Sequence, residues 1–441
     1  MGTNDAAYES ETKSGMTPLL QRYFLYENNK KGAATVTLKI DLKDDVDAAV
    51  LKTAANTAIK RYPYYSVKMV LDDENRYLLK ENGAEIAVLP VRAKARVLGS
   101  DEVNRHFVYI EYGERTVYFS WFHALCGANG MMEYAATVLY EYFRAVSGED
   151  IDTAGIKMAD SSPVPGERWL PAPGELGTDE PLYRPKHTKS LCRILPLILD
   201  TVRPVYAYEI EIPQKGLMDY AKNNDGSPAA AIAVLLAKAY GNTKKEKDGA
   251  VLCYMAHNVR GELGHVESTC DLVNSLPIYY TDEILQKPSD LIGTYTRTQI
   301  TLLSQSEYAA ESYRRYLCNA EQCEKLPTLK ERVEYAKKHN HNVQPQLPTY
   351  IVSYVGRFPA KGLEKYIESI HTYTFGGMVA ELNAVGDKIF LTYNIRRSEK
   401  RIFDSFCREM DTAGIKYTIT RYGLCRIPDI EYCSAKDKKP Y

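Results

Sequence analysis

The chain has 441 residues, of which 45% are hydrophobic and 26% charged, and its formal net charge is −1. The composition is typical of a globular protein, and the length exceeds the about 250–300 residues at which a single hydrophobic core usually stops growing. A balance of 56 basic against 57 acidic residues argues against the concentrated positive patch that binding to nucleic acid or to an anionic membrane requires.

Targeting and redox features predict a cytoplasmic protein. The polar start of the chain lacks the apolar segment of a signal peptide, and no apolar run reaches the roughly 18 residues of a membrane span. Nine cysteines are scattered without paired spacing, which is typical of free thiols in a reducing compartment.

Residues 1–160 are expected to form a first lobe. Alternating apolar residues predict a strand at 34–40, and Asp47 precedes a helix whose apolar stripe ends before Pro63. Gly113 separates two apolar segments and thereby favours a hairpin. The other predicted elements of this lobe are strands at 65–70, 103–112 and 115–122 and a helix at 131–147 that stops at Gly148.

The second half of the chain begins after a proline-rich segment. Residues 161–190 show no periodicity and predict a linker, and residues 191–441 are expected to form a second lobe. The clearest helix begins at Ser227 and Pro228, because serine caps a helix and proline fits its first turn. The other predicted elements are strands at 249–256, 348–355, 378–383 and 388–394 and a helix at 401–413 that ends at Gly414.

His123 follows a buried strand and precedes a loop of small residues, and two interpretations apply. A lone histidine at a strand end is most often an inert, hydrogen-bonded core residue. Alternatively, the strand holds the imidazole rigidly, and Gly127, Ala128 and Gly130 let another chemical group approach it. Imidazole is well suited to proton transfer at neutral pH, so the second interpretation predicts a general base.

Other site signatures are weak. The sequence has no dinucleotide-binding glycine loop, nucleophile elbow or zinc-protease motif. No metal site is predicted, because the histidines and cysteines that lie near one another lack further ligands at zinc spacing. These isolated residues are His339, His341, Cys425 and Cys433, and His257 and His265 also lack distinguishing neighbours. A nucleophilic Cys126 is a further hypothesis, because it lies three residues from His123.

The segment around His123 resembles a motif of the condensation-domain and chloramphenicol-acetyltransferase-like superfamily, near its bacterial alcohol-acetyltransferase branch. That motif reads H-H-x-x-x-D-G, and its second histidine aligns with His123, while Phe122 occupies the first histidine position. Gly127 and Ala128 stand where the family has aspartate and glycine.

Further similarities to the superfamily occur in the same order along the chain, from about residue 17 to 420. Each is weak by itself, and their shared order strengthens the resemblance. They are Arg61 and Pro63 in an R-x-P pattern, Asn258-Val259-Arg260 in an N-x-R segment, and Ser353-Tyr354-Val355-Gly356 at an S-N-x-G strand end, with Tyr354 in place of asparagine.

The resemblance implies an α/β (α+β) fold: a two-lobed pseudo-dimer in which each lobe is a mixed, largely antiparallel sheet with flanking helices. It also implies an acyltransferase that moves an acyl group from a coenzyme A or carrier-protein thioester to a hydroxyl or amine of a small molecule, without a tightly bound cofactor. His123 would be the base in an interlobe channel. The implied motif loop is Cys126, Gly127, Ala128, Asn129 and Gly130; the implied channel residues are Trp121, Ser353, Tyr354 and Gly356; the implied structural residues are Arg61, Asn258 and Arg260.

The altered motif raises a question about charge. The family's aspartate pairs with an arginine, and by position Arg61 is the best match. Glycine at residue 127 would leave this cation unpaired, at a cost of about 3–5 kcal/mol, unless Glu133 or another carboxylate replaces it or the arginine turns to solvent. The alternative to an enzyme is a degenerate relative that binds a ligand or partner in the channel without chemistry.

Overall fold

The computed structural model describes residues 17–28, 34–177, 205–244, 249–339, 347–374, 378–396 and 399–433. The part of the predicted linker beyond residue 177 lies outside these residues, as does His341. The helices are α1 (Leu19–Glu27), α2 (Ala48–Ala58), α3 (Ala128–Ser147), α4 (Gln214–Asn223), α5 (Pro228–Thr243), α6 (Asp282–Leu285), α7 (Ser289–Leu303), α8 (Ser306–Glu324), α9 (Leu329–His339) and α10 (Lys400–Thr412).

The strands form two large sheets and a small hairpin. They are β1 (Thr35–Leu42), β2 (Val67–Leu71), β3 (Tyr77–Glu81), β4 (Val88–Pro90), β5 (Val108–Tyr112), β6 (Thr116–Phe122), β7 (Tyr206–Pro213), β8 (Val251–Asn258), β9 (Val273–Tyr280), β10 (Tyr350–Arg357), β11 (Ile367–Thr374), β12 (Val379–Val385), β13 (Lys388–Ile395) and β14 (Thr418–Leu424). The five-stranded sheet has the order β11-β1-β6-β5-β4, the seven-stranded sheet β14-β7-β13-β12-β10-β8-β9, and β2 pairs with β3. Both large sheets are mixed and mainly antiparallel, as predicted.

Several helix boundaries confirm the capping signals in the sequence. The Asp47 carboxylate accepts hydrogen bonds from two backbone N–H groups in the first turn of α2. Ser227 caps α5 in the same way, through the N–H of Ala230 at 3.2 Å. Gly148 ends α3 with a φ of 64°, a left-handed conformation that glycine adopts without strain.

Two boundaries differ from the prediction for identifiable reasons. Strand β5 starts at Val108 rather than near 103, because Asn104 and Arg105 have φ values of 54° and 62° and cannot continue an extended strand. Helix α3 starts at Ala128 rather than at 131. The small residues after Cys126 are therefore the first turn of a helix as well as a loop.

Strand β11 connects the two halves of the chain. It lies between β10 and β12 in the sequence, and both of those strands belong to the seven-stranded sheet. β11 instead pairs antiparallel with β1, with His371 opposite Lys39. A strand from the second half thus completes the sheet of the first, and sequence periodicity did not predict it.

A polar layer lies between the two large sheets. Alternate residues of β1, such as Leu38 and Ile40, belong to the apolar core that also includes residues of α2 and α3. Lys39 is on the opposite side of the strand and is also buried, with its Nζ 2.9 Å from a carboxylate oxygen of Glu209 on β7. One side of β1 therefore faces the apolar core, and the other side faces a buried polar layer. The polar side is not exposed to water, as the alternating pattern had suggested, because the second sheet covers it.

None of the helices within the described residues combines the length and the apolar character that crossing a bilayer requires.

Candidate active site

His123 directly follows strand β6, and the sheet fixes its position. Phe122, the last residue of the strand, pairs with Thr35 of β1. The N–H of His123 then donates to the carbonyl of Ala34 at 2.8 Å, which extends the ladder by one residue. The backbone that carries the imidazole is therefore fixed by the sheet.

The imidazole borders two cavities. The larger, of about 470 Å³, is lined by residues of both large sheets, including Thr372 of β11 and Ser353 of β10. A second cavity, of about 90 Å³, shares His123 with the first. Its other lining is mainly apolar and aromatic: Leu20, Tyr23, Phe24, Leu170, Tyr313 and Tyr316. The His123 side chain is 26% accessible, and it lines both cavities.

Asp271 is the nearest charged partner of His123. The Nδ1 atom lies 3.2 Å from Oδ2 of Asp271, although its N–H is not aligned on the carboxylate as a hydrogen bond. Among the described residues, no side chain bonds the Nε2 atom of His123. Burial lowers the pKa of His123, but the negative charges of Asp271 and Glu381 outweigh burial, and the pKa is raised above its usual value.

Glu381 is a second carboxyl group in the larger cavity. It lies on β12, opposite Ser353 of β10, and is almost fully buried. Burial raises the pKa of Glu381 to about 7, against the opposing effects of Ser353 and His123. The cavity therefore contains two ionisable groups, His123 and Glu381, each with a pKa raised above its ordinary value.

The loop that carries Asp271 is held by many hydrogen bonds. Arg260 is buried, and its guanidinium donates to the carbonyls of Ser268 and Cys270 and to Oδ1 of Asn258 at 3.0 Å. The Oγ1 of Thr269 donates to the carbonyl of Glu167 at 2.9 Å. The N-x-R segment, expected to be structural, thus fixes the backbone next to His123.

Gly127 contacts a different arginine from the one expected. A Cβ atom built on Gly127 would lie 3.3 Å from Nη2 of Arg260 and 3.5 Å from Oδ1 of Asp271. The sequence-based assignment of Arg61 as the partner of this position is therefore wrong. The reason is tertiary, since Arg260 reaches the motif from the second half of the chain.

Arg61 has its own carboxylate. It is buried and forms a two-pronged ion pair with Glu167, one arm of which measures 2.9 Å. Glu133, the expected replacement carboxylate, instead pairs with Lys157 at 2.8 Å. Glycine at residue 127 thus strands no buried cation at Arg61, and the penalty predicted for that residue does not arise.

The expected channel residues separate into two groups. Ser353 and Tyr354 line the larger cavity, as do Gly127, Ala128 and Asn129 from the motif. Trp121 does not: it is buried in the apolar core, and its indole N–H donates to the carbonyl of Cys126 at 3.2 Å. Gly356 is also absent from the lining and lies at a register shift of β10.

The remaining candidates are not placed for chemistry at the cavity. Cys126 is fully buried, and burial raises the pKa of its thiol to about 12, so the nucleophile hypothesis fails. His257 bonds Glu262 at 2.8 Å, and His265 stacks on Trp169. Among the described residues, no group of histidines, cysteines and carboxylates could hold a metal ion.

Gly130 has no space for a side chain, because neighbouring atoms of the protein, rather than a ligand, lie close to it. A Cβ atom at this helical position would lie 2.7 Å from the carbonyl oxygen of Thr269 and 2.7 Å from the hydroxyl of Tyr65. Both neighbours are themselves packed, so the added carbon has no space. The glycine allows helix α3 to pack against the loop that carries Asp271.

Gly130→Ala is therefore expected to destabilise the protein by about 1–3 kcal/mol through overpacking, although alanine is the better helix former. Gly216→Ala in α4 is the matched control, because a Cβ there meets nothing within 4 Å. That variant should gain about 0.5–1 kcal/mol. Urea unfolding of both variants measures the difference, and a stabilised Gly130→Ala would contradict the close packing.

The sequence did not indicate Asp271 or Glu381. Asp271 follows β8 in an irregular loop, and Glu381 lies in a buried strand whose other residues, apart from Asn383, are apolar. A single acidic residue within the buried segment VAELNAV is the one signal that could have drawn attention to Glu381.

Comparisons with known proteins identify the fold. No protein-family model and no curated protein sequence matches the chain. Among solved structures, F. graminearum TRI101 complexed with coenzyme A and T-2 mycotoxin has a TM-score of 0.57 at 9% identity, covering 90% of this chain and 98% of that one. The first condensation domain of the CDA synthetase has a TM-score of 0.54 at 10% identity, covering 93% and 98%.

A third solved structure is TRI3 trichothecene 15-O-acetyltransferase from Fusarium sporotrichioides, with a TM-score of 0.53 at 12% identity, covering 90% of this chain and 94% of that one. These similarities span almost the whole length of each protein. They confirm the fold class predicted from the sequence. The chain has the two-lobed α/β fold of condensation domains and chloramphenicol-acetyltransferase-like acyltransferases.

Proposed function

We propose that the protein is an acyltransferase that moves an acyl group from a thioester, carried by coenzyme A or a carrier protein, to a hydroxyl or amine of a small molecule. His123 is the general base. The observation that carries this proposal is an imidazole fixed by a strand end, with a cavity of about 470 Å³ beside it and no side chain of the described residues bonded to its Nε2.

The reaction follows from this placement. Nε2 of His123 accepts the proton of the acceptor O–H or N–H while the oxygen or nitrogen attacks the thioester carbonyl. The tetrahedral intermediate then expels the thiolate, which takes the proton back from the imidazolium. The base contributes about 10²–10⁴-fold to the rate, and alignment of the two substrates in the cavity contributes further.

The neighbouring structures support both substrates of this reaction. One is complexed with coenzyme A and a toxin, another is a starter condensation domain in complex with C8-CoA and Leu-SNAC, and a third is named as a 15-O-acetyltransferase. The two cavities that meet at His123 offer room for a thioester arm and an acceptor. We propose that the thioester is a cosubstrate, that no cofactor stays bound, and that the protein acts in the cytoplasm.

The deciding experiment is thioester consumption by the full chain, with acetyl-CoA and longer acyl-CoA donors and a panel of alcohols and amines. His123→Ala should lower turnover by about 10²–10⁴-fold. His257→Ala is the matched control, because His257 is equally accessible at 26% but bonds Glu262 and does not line either cavity. Equal turnover in wild type and His123→Ala would overturn the proposal.

A second candidate function is ligand or partner binding without chemistry. It is favoured by the replacement of the motif aspartate and glycine by Gly127 and Ala128. The same assay separates the two: acyl-CoA that binds, measured by calorimetry, but is never consumed with any acceptor supports the binding function. Transfer that disappears in His123→Ala rejects it.

A further inference from the structure

We propose that Asp271, which reaches the site from the second half of the chain, is the positioning residue of His123. This inference rests on the proposed function, because it assigns a role within the same site. It concerns which ring nitrogen carries the proton and where the ring points. Asp271 does not touch the reacting atoms.

The first support is the location of the carboxylate. Oδ2 of Asp271 lies 3.2 Å from Nδ1 of His123, and its Oδ1 lies 3.5 Å from the point where a side chain at residue 127 would begin. Gly127 has extended backbone with a φ of −69°, which any residue adopts. The glycine is therefore not required by its own conformation, and the space beside it is already occupied by the Asp271 carboxylate.

The second support is the rigidity of the loop. The Arg260 guanidinium binds the carbonyl of Cys270, directly before Asp271, and the hydroxyl of Tyr313 donates to the carbonyl of Asp271 at 3.3 Å. The N–H of Gly127 donates to the carbonyl of Thr269 at 3.2 Å. The loop and the start of α3 are thus bonded directly to each other, so the distance between Asp271 and His123 is fixed by backbone contacts.

The contact between Asp271 and His123 determines which ring nitrogen carries the proton. A carboxylate beside Nδ1 favours the tautomer with a proton on Nδ1, which leaves a lone pair on Nε2 to accept the acceptor's proton, and it stabilises the imidazolium that follows. The present misalignment of the N–H does not argue against this role, since hydrogen bonds of a catalytic base are often loose until a substrate is bound.

Several other titratable or charged groups surround the ring and must be controlled for. On the elements packed around the two cavities these are Glu27 of α1, Glu381 of β12, Tyr354 of β10, Arg260, Cys270, and Tyr23, Tyr313 and Tyr316. Glu381 is the one besides Asp271 whose charge raises the pKa of His123. It has no contact with Nδ1, so it provides a control that changes charge without changing orientation.

The test measures His123 directly, by ¹⁵N and ¹³C spectroscopy of histidine-labelled full-length protein titrated between pH 5 and 9, with the signal assigned by its loss in His123→Ala. In the wild type the neutral ring should carry its proton on Nδ1. Asp271→Asn should lower the pKa of His123 and shift the neutral ring towards the Nε2–H tautomer. Glu381→Gln should also lower the pKa of His123 but leave the tautomer unchanged.

With any acceptor found active in the thioester assay, Asp271→Asn should lower kcat/KM at least about tenfold. The acid limb of the pH profile should move to lower pH in Asp271→Asn, because the neutral base then persists to lower pH.

An Asp271→Asn protein with wild-type pKa and tautomer at His123 would overturn the inference, even if the enzyme is an acyltransferase. If the spectroscopic changes appear but no acceptor supports His123-dependent transfer, the positioning role stands and the proposed function fails. Asp271 is a quarter exposed and the asparagine is isosteric, so unfolding is not expected, and the thermal midpoint checks this.

Discussion

Glu209→Gln is expected to lower the free energy of unfolding by about 3–5 kcal/mol, because it removes the more deeply buried of the two carboxylates that lie 2.9 Å from the buried ammonium of Lys39. Glu209 has a side-chain exposure of 2% and bonds Lys39 and Arg421 at 2.9 and 2.7 Å. Tyr373 of β11 donates to it as well. Asp41 also approaches Lys39 but is a quarter exposed, so it cannot compensate fully.

The control is Glu211→Gln, two residues further along the same strand. Glu211 pairs with Lys388 at 3.0 Å, with both side chains partly exposed, and such pairs contribute about 0–1 kcal/mol. Urea unfolding of the two variants measures the difference. Equal losses would show that the buried cluster adds nothing, whereas partial recovery in Lys39→Met/Glu209→Gln would show that the stranded cation is the cause.

The pH dependence of this cluster has a defined sign. Burial opposes ionisation of Glu209, but His371, Lys39 and a hydrogen bond from Tyr373 outweigh burial and lower the pKa of Glu209 to about 2. A lowered carboxyl pKa stabilises the fold above the unfolded-state value, which is about 4.3. This stabilisation is lost as the pH falls from there to about 2, and the loss over that range should be absent in Glu209→Gln.

Glu167→Gln is the second substitution with a large expected effect, again about 3–5 kcal/mol, because it leaves the guanidinium of Arg61 buried without a counter-charge. Both side chains are almost fully buried, and Lys157 also bonds Glu167, at 3.0 Å. The carbonyl of Glu167 accepts the N–H and hydroxyl of Thr269 at 2.8 and 2.9 Å. Loss of the ion pair should therefore also loosen the loop that carries Asp271.

Glu133→Gln is the matched control for that substitution, since Glu133 also binds Lys157 but is 31% exposed. It should cost about 1 kcal/mol or less. In Arg61→Met/Glu167→Leu the buried charges are removed together, and stability should return close to that of the wild type. A Glu167→Gln protein as stable as Glu133→Gln would contradict the importance of the buried pair, and unfolding in urea again decides.

The sequence predicted individual elements well where local signals exist. The caps at Asp47 and Ser227, the stop at Gly148 and the hairpin around Gly113 all appear as expected, because they depend on hydrogen bonds and φ angles within a few residues. Strand β11 was missed, because its hydrophobic pattern is interrupted by residues that belong to the polar layer between sheets.

For the candidate site, too, the sequence predicted some residues correctly and misplaced others. His123, Ser353 and Tyr354 were selected from the sequence, and the structure brings them to one cavity. Trp121 was misassigned, since an indole beside a motif histidine can face the core as readily as a channel.

What the sequence by itself determined is a subset of the helices and strands, the resemblance to a known fold and the choice of one histidine, because these depend on periodicity, capping and a short motif. Only the tertiary structure decided which charges meet. Arg61 meets Glu167, Lys39 meets Glu209 and His123 meets Asp271, all across at least 100 residues of chain. Ionic partners so far apart in sequence leave no periodic trace, since their pairing is determined by how the two sheets pack rather than by any local backbone preference.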